Sequence, residues 1–158
     1  MANQDDTRQL RNAFGRFATG VCVVSCQSSI GPVGITVNSF SSVSLRPALL
    51  SWCIAHGSDR YDAFAQAETF HVDILHASQE DVAMHFARQA AIDSNMDLEV
   101  TPHGLKLPGS LVHFACRMHA RYGVGDHDIL VGEIFQHEQD EGPGLGYFGG
   151  KFINISNK

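Results

Sequence analysis

The sequence predicts a single β-rich domain of the barrel or sandwich type, with a few short helices beside the strands. Short apolar segments recur along the chain between turns rich in Gly, Ser and Pro, and they indicate about seven strands. Strands do not alternate with helices, and no Gly-x-Gly-x-x-Gly motif occurs, so a Rossmann-type dinucleotide site is not expected. A length of 158 residues suits one domain with a substantial core, which we place over residues 1–158.

Composition narrows the class of protein and its surroundings. With 44% hydrophobic and 18% charged residues, the chain is typical of globular proteins, and its net charge of −6 argues against nucleic acid as a partner. No apolar run approaches the roughly 20 residues that span a bilayer, and the polar N-terminus lacks a signal-peptide core, so no membrane association is expected. Four cysteines in apolar segments, without a Cys-x-x-Cys pair, predict reduced core thiols and a cytoplasmic location. They are Cys22, Cys26, Cys53 and Cys116.

An amphipathic helix is predicted over residues 5–18. Its Leu10, Phe14 and Phe17 recur at helical spacing, and we expect this stripe to pack in the core. Gly20 is predicted to end the helix, because glycine is common just past a helix C-terminus. Two further short helices are predicted over residues 60–66 and 79–87, the first capped by Ser58 or Asp59 and the second by Ser78.

Strands are predicted from apolar segments, and the clearest alternation runs over residues 111–122. There Val112, Phe114 and Cys116 alternate with His113, Ala115 and Arg117, which predicts one buried and one wetter face. An irregular connection is expected over residues 98–109, which contain two prolines and two glycines. The remaining strands are predicted over residues 21–27, 33–37, 48–54, 70–75, 128–139 and 147–155, the first two as a hairpin.

A run of hydroxyl and amide side chains follows the second strand, over residues 34–47. It is too polar for a core and too short for a disordered linker, so its side chains and free backbone N–H groups can line a site for a polar, phosphorylated ligand. The alternative is a plain loop, because Ser and Asn favour turns by bonding nearby backbone.

A second polar loop, residues 56–60, also follows a strand and precedes a helix. The N–H groups of a helix N-terminus there would point at an anion, and Arg60 would add positive charge. The alternative is an ordinary capped helix with a solvated arginine.

Histidine chemistry centres on His127, which lies between Asp126 and Asp128 at the tip of a predicted hairpin. Flanking carboxylates would raise its pKa and make it a proton or hydrogen-bond donor, and the alternative is a solvated turn residue. The nine histidines do not form a metal-ligand pattern: His113 and His119, for example, are separated by roughly 20 Å at strand rise. No metal site is expected, and no Gly-x-Ser-x-Gly nucleophile motif occurs.

The order of these features resembles the flavin reductase-like family, which includes the small reductase components of two-component flavin-dependent monooxygenases. The most specific match is Thr-Val-Asn-Ser-Phe-Ser-Ser-Val-Ser-Leu at residues 36–45, followed by the Gly-Asp-His turn at residues 125–127. The other matching segments are residues 10–21, the Ser58 loop, and residues 70–75, 86–87, 128–133 and 145–152.

The resemblance implies a split β-barrel with Greek-key topology, a few short flanking helices and a homodimeric assembly. It implies reduction of FMN or FAD by NADH or NADPH, with reduced flavin passed to a flavin-dependent oxygenase partner. The sequence does not choose between the two flavins or between the two nicotinamides.

The resemblance also implies roles for individual residues. The isoalloxazine and ribityl chain would be lined by Thr36, Val37, Asn38, Ser39, Ser41, Ser42 and Val43, with Cys53 and Ala55 on the next strand. Ser58 and Arg60 would bind the flavin phosphate, and Phe86, Ala87 and Arg88 would close over the flavin tail. His127 would be catalytic, holding the nicotinamide against the flavin, and Tyr147 would lie near the same mouth.

Departures from the family pattern affect the flavin type and affinity, and one of them is a short segment before the last strand. The phosphate loop, often Ser-x-Thr, is Ser58-Asp59-Arg60 here, and Gly146 stands where an apolar residue is common. Two other functions stay open on sequence grounds: a non-enzymatic flavin- or haem-binding module, and a flavoprotein whose bound flavin reduces another acceptor.

Overall fold

The computed structural model describes residues 4–157, which form a mainly β structure with three α-helices. The helices are α1 (Gln4–Phe14), α2 (Tyr61–Gln66) and α3 (Glu80–Arg88), the last preceded by a 3-10 turn (Ala77–Gln79). The strands are β1 (Thr19–Gly20), β2 (Cys22–Ser28), β3 (Gly31–Val37), β4 (Ser41–Leu45), β5 (Ala48–Ala55), β6 (Thr69–Ile74), β7 (Glu99–Thr101), β8 (Gly104–Lys106), β9 (Val112–Val124), β10 (His127–Gln139), β11 (Gly144–Phe148) and β12 (Lys151–Ile155).

Seven strands form one antiparallel sheet in the order β3-β2-β6-β9-β10-β5-β4. The two edge strands, β3 and β4, are consecutive in sequence but are not hydrogen-bonded to each other, so the barrel is split between them. The connection from β5 to β6 passes over β10 and β9, which is a Greek-key step. The predicted split barrel is therefore confirmed. No helix within residues 4–157 is long and apolar enough to cross a bilayer.

The interior of the barrel is filled by aromatic and aliphatic side chains from the long strands. Trp52 is fully buried, and its ring packs edge-on against Phe64 at a centroid distance of 4.9 Å. A second apolar cluster, around Phe86, Leu105 and Leu145, joins α3 and the β11–β12 hairpin to the outside of the sheet. Burying such side chains stabilises the fold by about 1.5–3 kcal/mol each.

The cysteines are free thiols, as predicted. Cys22, Cys26 and Cys116 are buried, and burial raises the pKa of each to about 12. Cys53 is half-buried, and burial raises its pKa as well.

The first helix differs from the prediction in length and in packing. It ends at Phe14 rather than at residue 18, and the predicted core stripe is exposed: Phe14 is 70% and Phe17 79% accessible, and Leu10 is also exposed. The core expectation was wrong because strand residues and α3 already fill the interior, so the stripe faces outward.

The last predicted strand, residues 147–155, is in fact the end of one strand and the whole of another. β11 and β12 pair as a hairpin through Gly149 and Gly150, whose φ angles of +58° and +80° suit glycine. The predicted irregular connection likewise contains the β7–β8 hairpin. The hydroxyl-rich stretch is partly a strand: β4 pairs with β5, with a bulge between Ser42 and Ser44.

His76, rather than the predicted Ser78, caps the 3-10 turn that precedes α3, while Gln79, the N-cap residue of α3 itself, makes no side-chain capping bond. The His76 ring Nδ1 accepts from the Ser78 N–H at 3.0 Å, and the Gln79 side chain accepts from the His76 N–H at 2.9 Å. The pair forms a capping box, which fixes where the 3-10 turn begins.

A buried polar cluster lies between β6, β9 and β8, and it corrects the expected wet face of β9. His113 is only 7% exposed, and its Nδ1–H donates to the Asp73 carboxylate at 2.9 Å. His71 donates from Nδ1 to the Leu105 carbonyl at 2.8 Å, and its ring lies 4.4 Å from that of His113. Burial lowers the pKa of His71 to about 4 and raises that of Asp73.

Acid should destabilise the protein through His71. As pH falls from 6.5 towards 4, the unfolded chain protonates this histidine while the folded chain does not, so its contribution lowers the free energy of unfolding by up to about 3 kcal/mol. We expect His71→Gln to lose less stability than the wild type over that range, measured by urea unfolding at several pH values. Asp73, which titrates in the opposite sense, is present in both proteins, so the difference isolates His71.

The matched control is His119→Gln, at an exposed histidine on the same strand as His113. It should keep the wild-type acid slope. An unchanged slope in His71→Gln would contradict the assignment.

Candidate functional site

Two cavities open along the split of the barrel and meet at Asn38. The first, which we call the Tyr147 cavity, has a volume of about 730 Å³. The second, the Phe17 cavity, has a volume of about 550 Å³. The Tyr147 cavity is lined by Val21, Thr36, Val37, Asn38, Glu80, Met84, Ala87, Tyr147, Gly150, Lys151 and Phe152. The Phe17 cavity is lined by Phe17, Thr19, Gly20, Cys22, Asn38, Ser39, Phe40, Ser41 and Ile74.

The hydroxyl groups between the cavities hold their walls in place. The Ser39 hydroxyl accepts from the Cys53 N–H at 2.9 Å, which ties the segment after β3 to β5 across the split. The Thr36 hydroxyl donates to the Ala83 carbonyl at 2.6 Å, which ties β3 to α3. Asn38, between them, is exposed where the two cavities meet.

Strand register extends this site towards the predicted hairpin. β5 and β10 are antiparallel, with Ile129 opposite Cys53 and His127 opposite Ala55. Directly opposed Cα atoms in such pairs are about 4.5–5.5 Å apart. A continuous strip therefore runs from Ser39 through Cys53 and Ala55 to His127.

His127 has one carboxylate partner rather than the two expected from its flanking residues. Its side chain is 46% exposed, and its Nδ1 lies 2.7 Å from Asp126 Oδ1. This hydrogen bond lowers the pKa of Asp126. Asp128 points instead towards the preceding loop, where its carboxylate accepts from His56 and Tyr61. The reason is strand alternation, which sends successive side chains to opposite faces.

The loop over residues 56–60 differs from the predicted capped helix. Arg60, rather than Ser58 or Asp59, is the N-cap residue of α2, and its side chain makes no capping bond. The Ser58 hydroxyl accepts from the Arg60 N–H at 3.2 Å. The turn is closed by a bond from the Tyr61 N–H to the Ser58 carbonyl at 3.1 Å.

The Arg60 side chain is the strongest sign of an anion site. It is only 10% exposed, so the alternative of a solvated arginine does not hold. Its Nη1 lies 3.1 Å from the Asp59 carboxylate, while Nε and Nη2 are buried without a partner among the described residues. Two adjacent, unsatisfied N–H donors match the bidentate recognition of a phosphate, and leaving them unpaired is costly. These residues therefore fit a flavin phosphate.

The residues predicted to close over the flavin tail have different environments. Phe86 is fully buried, and a Cβ added to Gly34 would lie 2.6 Å from its ring, so the residue packs in the core and is not exposed to a ligand. Ala87 lines the Tyr147 cavity, and Arg88 is exposed. Tyr147 lines the same cavity and packs edge-on against Phe152 at 5.5 Å.

Not every predicted residue reaches the cavities. Ser42 and Val43 lie on the exposed edge strand β4 and line neither of them. The same holds for other predicted site residues, namely Cys53, Ala55, Ser58, Arg60, Phe86, Arg88 and His127. Conversely, sequence reasoning did not select Lys151 and Phe152, or Thr19, whose buried hydroxyl has no partner among the described residues. All three lie in segments that carried the family resemblance, so that signal was available. Glu80 and Met84 had no such signal.

The fold and the site together define a class: a split-barrel domain with two cavities that adjoin at Asn38 and, in the loop over residues 56–60, a buried guanidinium with two unpaired donors. Together these features suit an elongated, anionic ligand.

Comparisons with known proteins agree with that class. A model of the flavin reductase like domain matches residues 14–156. The chain is 39% identical over 155 residues to the FMN reductase (NADH) SmoA of Agrobacterium fabrum, which covers 98% of this chain and 89% of the relative. The chain belongs to the flavin reductase-like domain family, and the resemblance inferred from the sequence is confirmed.

Solved structures support the same assignment. The NADH:FAD oxidoreductase SgcE6 of Streptomyces globisporus, in complex with NAD and FAD fragments, superposes with a TM-score of 0.88 at 34% identity, over 99% of this chain and 96% of that one. BorF, the flavin reductase component of a bacterial two-component tryptophan halogenase, gives a TM-score of 0.88 at 32% identity, over 97% and 100% of the two chains.

Removing the bond across the split should lower stability. In Ser39→Ala the part-buried Cys53 N–H loses its acceptor, and we expect the free energy of unfolding to fall by about 1–2 kcal/mol in urea titrations at pH 7. The control is Ser41→Ala, because the Ser41 hydroxyl donates only to its exposed neighbour Ser42. Equal losses in the two variants would contradict a special role for the Ser39 bond.

Proposed function

We propose that this protein is an NAD(P)H:flavin oxidoreductase that reduces FMN or FAD and supplies the reduced flavin to a partner monooxygenase. The observation that carries the proposal is the pair of cavities that meet at Asn38, beside which Ser39 bonds to β5, the strand paired with the hairpin of His127. Family membership supports it, since the FMN reductase SmoA and the FAD reductase SgcE6 are both NADH-dependent by name.

The flavin ring and ribityl chain are assigned to the hydroxyl-rich stretch. Thr36, Val37, Asn38, Ser39 and Ser41 line the cavities, and backbone N–H groups of this stretch would hydrogen-bond the ring. When bound, the flavin accepts a hydride from the nicotinamide of NADH or NADPH. The protein's own part is to hold two flat rings in contact and to exclude water, which needs no strong acid or base.

The phosphate is assigned to Ser58 and Arg60. The unpaired Nε and Nη2 donors of Arg60 support this assignment. Asp59, which would repel a phosphate, is instead paired with Nη1 of the same guanidinium. The guanidinium thus neutralises the carboxylate on one edge and keeps two donors on the other.

His127 is assigned to the nicotinamide side of the cleft. It lies at the exposed tip of the β9–β10 hairpin, opposite Ala55, and Asp126 orients its ring through Nδ1. Its other ring nitrogen is left for the nicotinamide carboxamide. In this role it positions the hydride donor rather than transferring a proton.

A homodimer is part of the proposal. Leu10, Phe14, Phe17 and Phe148 are exposed, and so are Val43 and Leu45 on the edge strand β4. Large apolar side chains grouped on an edge and on an amphipathic helix favour coverage by a second chain.

The location proposed for the protein is the cytoplasm. Its four free thiols support a reducing location.

Purified protein mixed with NADH or NADPH and with FMN or FAD tests the proposal. Oxidation of the nicotinamide that depends on added free flavin supports it. A yellow protein that never consumes the nicotinamide would support a flavin-binding module instead, and retained flavin that cycles on a separate acceptor would support a flavoprotein of another kind. The four combinations also decide the preferred flavin and nicotinamide.

Arg60→Gln should weaken the binding of FMN by about tenfold or more, because a charge-assisted bidentate contact is lost. Riboflavin, which has no phosphate, should bind as in the wild type. Titration of each flavin by fluorescence measures both affinities. The matched control is Arg88→Gln, at an exposed arginine in the last turn of α3, which should change FMN affinity less. Equal weakening of FMN and riboflavin by Arg60→Gln would refute the phosphate assignment.

His127→Ala should lower the turnover number without abolishing reduction, because hydride transfer depends chiefly on the contact of two rings. The Michaelis constant for the nicotinamide should rise, while flavin affinity is unchanged. Steady-state kinetics with each substrate varied measures both effects. Complete loss of turnover with flavin binding intact would show that His127 does more than position the donor.

A further inference from the structure

The carboxylate of Asp128 connects two parts of the proposed site, the loop over residues 56–60 and the hairpin that carries His127. Its Oδ1 lies 2.7 Å from His56 Nε2, and its Oδ2 accepts from the Tyr61 hydroxyl at 2.6 Å. His56 and Tyr61 stand at the two ends of the loop that contains Ser58 and Arg60. The carboxylate therefore spans this loop from end to end.

The three side chains form a compact group. The rings of His56 and Tyr61 meet edge-on at a centroid distance of 5.4 Å, and the Asp128 side chain is only 13% exposed. The hydrogen bonds from Tyr61 and His56 lower the pKa of Asp128, and the bond to Asp128 raises that of Tyr61. At neutral pH the carboxylate is thus the acceptor and the tyrosine hydroxyl the donor.

The backbone alone holds this loop with few bonds. The Ser58 N–H donates to the Ala55 carbonyl at 3.0 Å, the His56 N–H to the Asp126 carbonyl at 2.9 Å, and the Tyr61 N–H to the Ser58 carbonyl at 3.1 Å. None of these bonds fixes the Arg60 side chain, whose two buried donors stay without partners. If such a loop is held rigidly at both ends, its donors are already in position when a ligand arrives, and less conformational entropy is lost on binding.

Asp128 is also fixed to the hairpin that carries His127. It lies on β10, opposite Ile54 of β5 and Gly123 of β9, directly after His127. The position of the loop is therefore set by the same strand that presents the proposed nicotinamide-binding residue.

We propose that Asp128 is a positioning residue that clamps the loop over residues 56–61 through His56 and Tyr61, and so preorganises Ser58 and Arg60 for the phosphate of the flavin. The inference rests on the proposed function, in which that loop binds the phosphate. Asp128 touches no substrate in this role and acts through the loop.

The test compares a flavin with a phosphate and one without. In Asp128→Ala we expect the dissociation constant for FMN to rise about tenfold, since two bonds to a charged group are lost, while that for riboflavin is unchanged. Fluorescence titration measures both constants. Asp128→Asn should give a smaller change, because its amide oxygen still accepts from Tyr61. Tyr61→Phe removes one of the two bonds without altering Asp128, so it tests the clamp even if Asp128→Ala does not fold.

The matched control is Glu138→Gln, which removes another paired carboxylate from the same strand, at its far end, where it contacts Lys106. It should leave the affinities for both flavins unchanged. A loss of FMN and riboflavin affinity by the same factor in Asp128→Ala would overturn the inference, because a merely structural role predicts it.

The outcomes separate this inference from the proposed function. If the wild type prefers FMN to riboflavin and both Asp128→Ala and Tyr61→Phe keep that preference, the clamp is refuted and the phosphate assignment stands. If the wild type binds the two flavins equally, the phosphate assignment fails and the clamp falls with it, although flavin-dependent oxidation of the nicotinamide can still hold.

Discussion

The register of β5 on β10 is the constraint on which the site depends. It places Trp52 and Leu130 opposite each other with both side chains in the barrel core, and on the same pair of strands it sets Ala55 opposite His127. A slip of one residue would exchange the two faces of a strand and would bring core side chains to the surface. Burial of the core thus fixes the position of the polar site, and function is held in place by apolar packing.

The open edge of the barrel gives the protein room for a ligand. A closed barrel pairs all its strands, whereas here β3 and β4 are left apart and the Ser39 bond to Cys53 crosses the gap. The segment after β3 therefore lies beside cavities instead of inside a continuous sheet. The same opening leaves β4 unpaired on its outer side, with Val43 and Leu45 exposed. The cleft and the apolar surface thus have a common origin in the incomplete sheet.

Much of the site could be predicted from short motifs, because its residues lie in a few continuous segments. The stretch from Thr36 to Ser41 and the turn at His127 are recognisable as motifs in the sequence; the first lines the two cavities, and the second lies opposite Ala55 of β5. The cleft also contains Thr19, Glu80 and Lys151, which come from elements far apart in the sequence. Their contribution depends on the packing of α3 and the β11–β12 hairpin against the sheet, and no local pattern reports such packing.

The sequence by itself determined the strand-rich class, the β2–β3 hairpin, the long β9–β10 pair and the family. Local alternation and turn residues encode these features. Only the tertiary structure decided that the Phe14 stripe faces outward, that His113 is buried on Asp73, and that Asp128 turns from His127 towards His56 and Tyr61. Each of these depends on which side of an element the rest of the chain covers. Contacts between residues distant in sequence decide which side is covered, and the periodic pattern of one element does not contain that information.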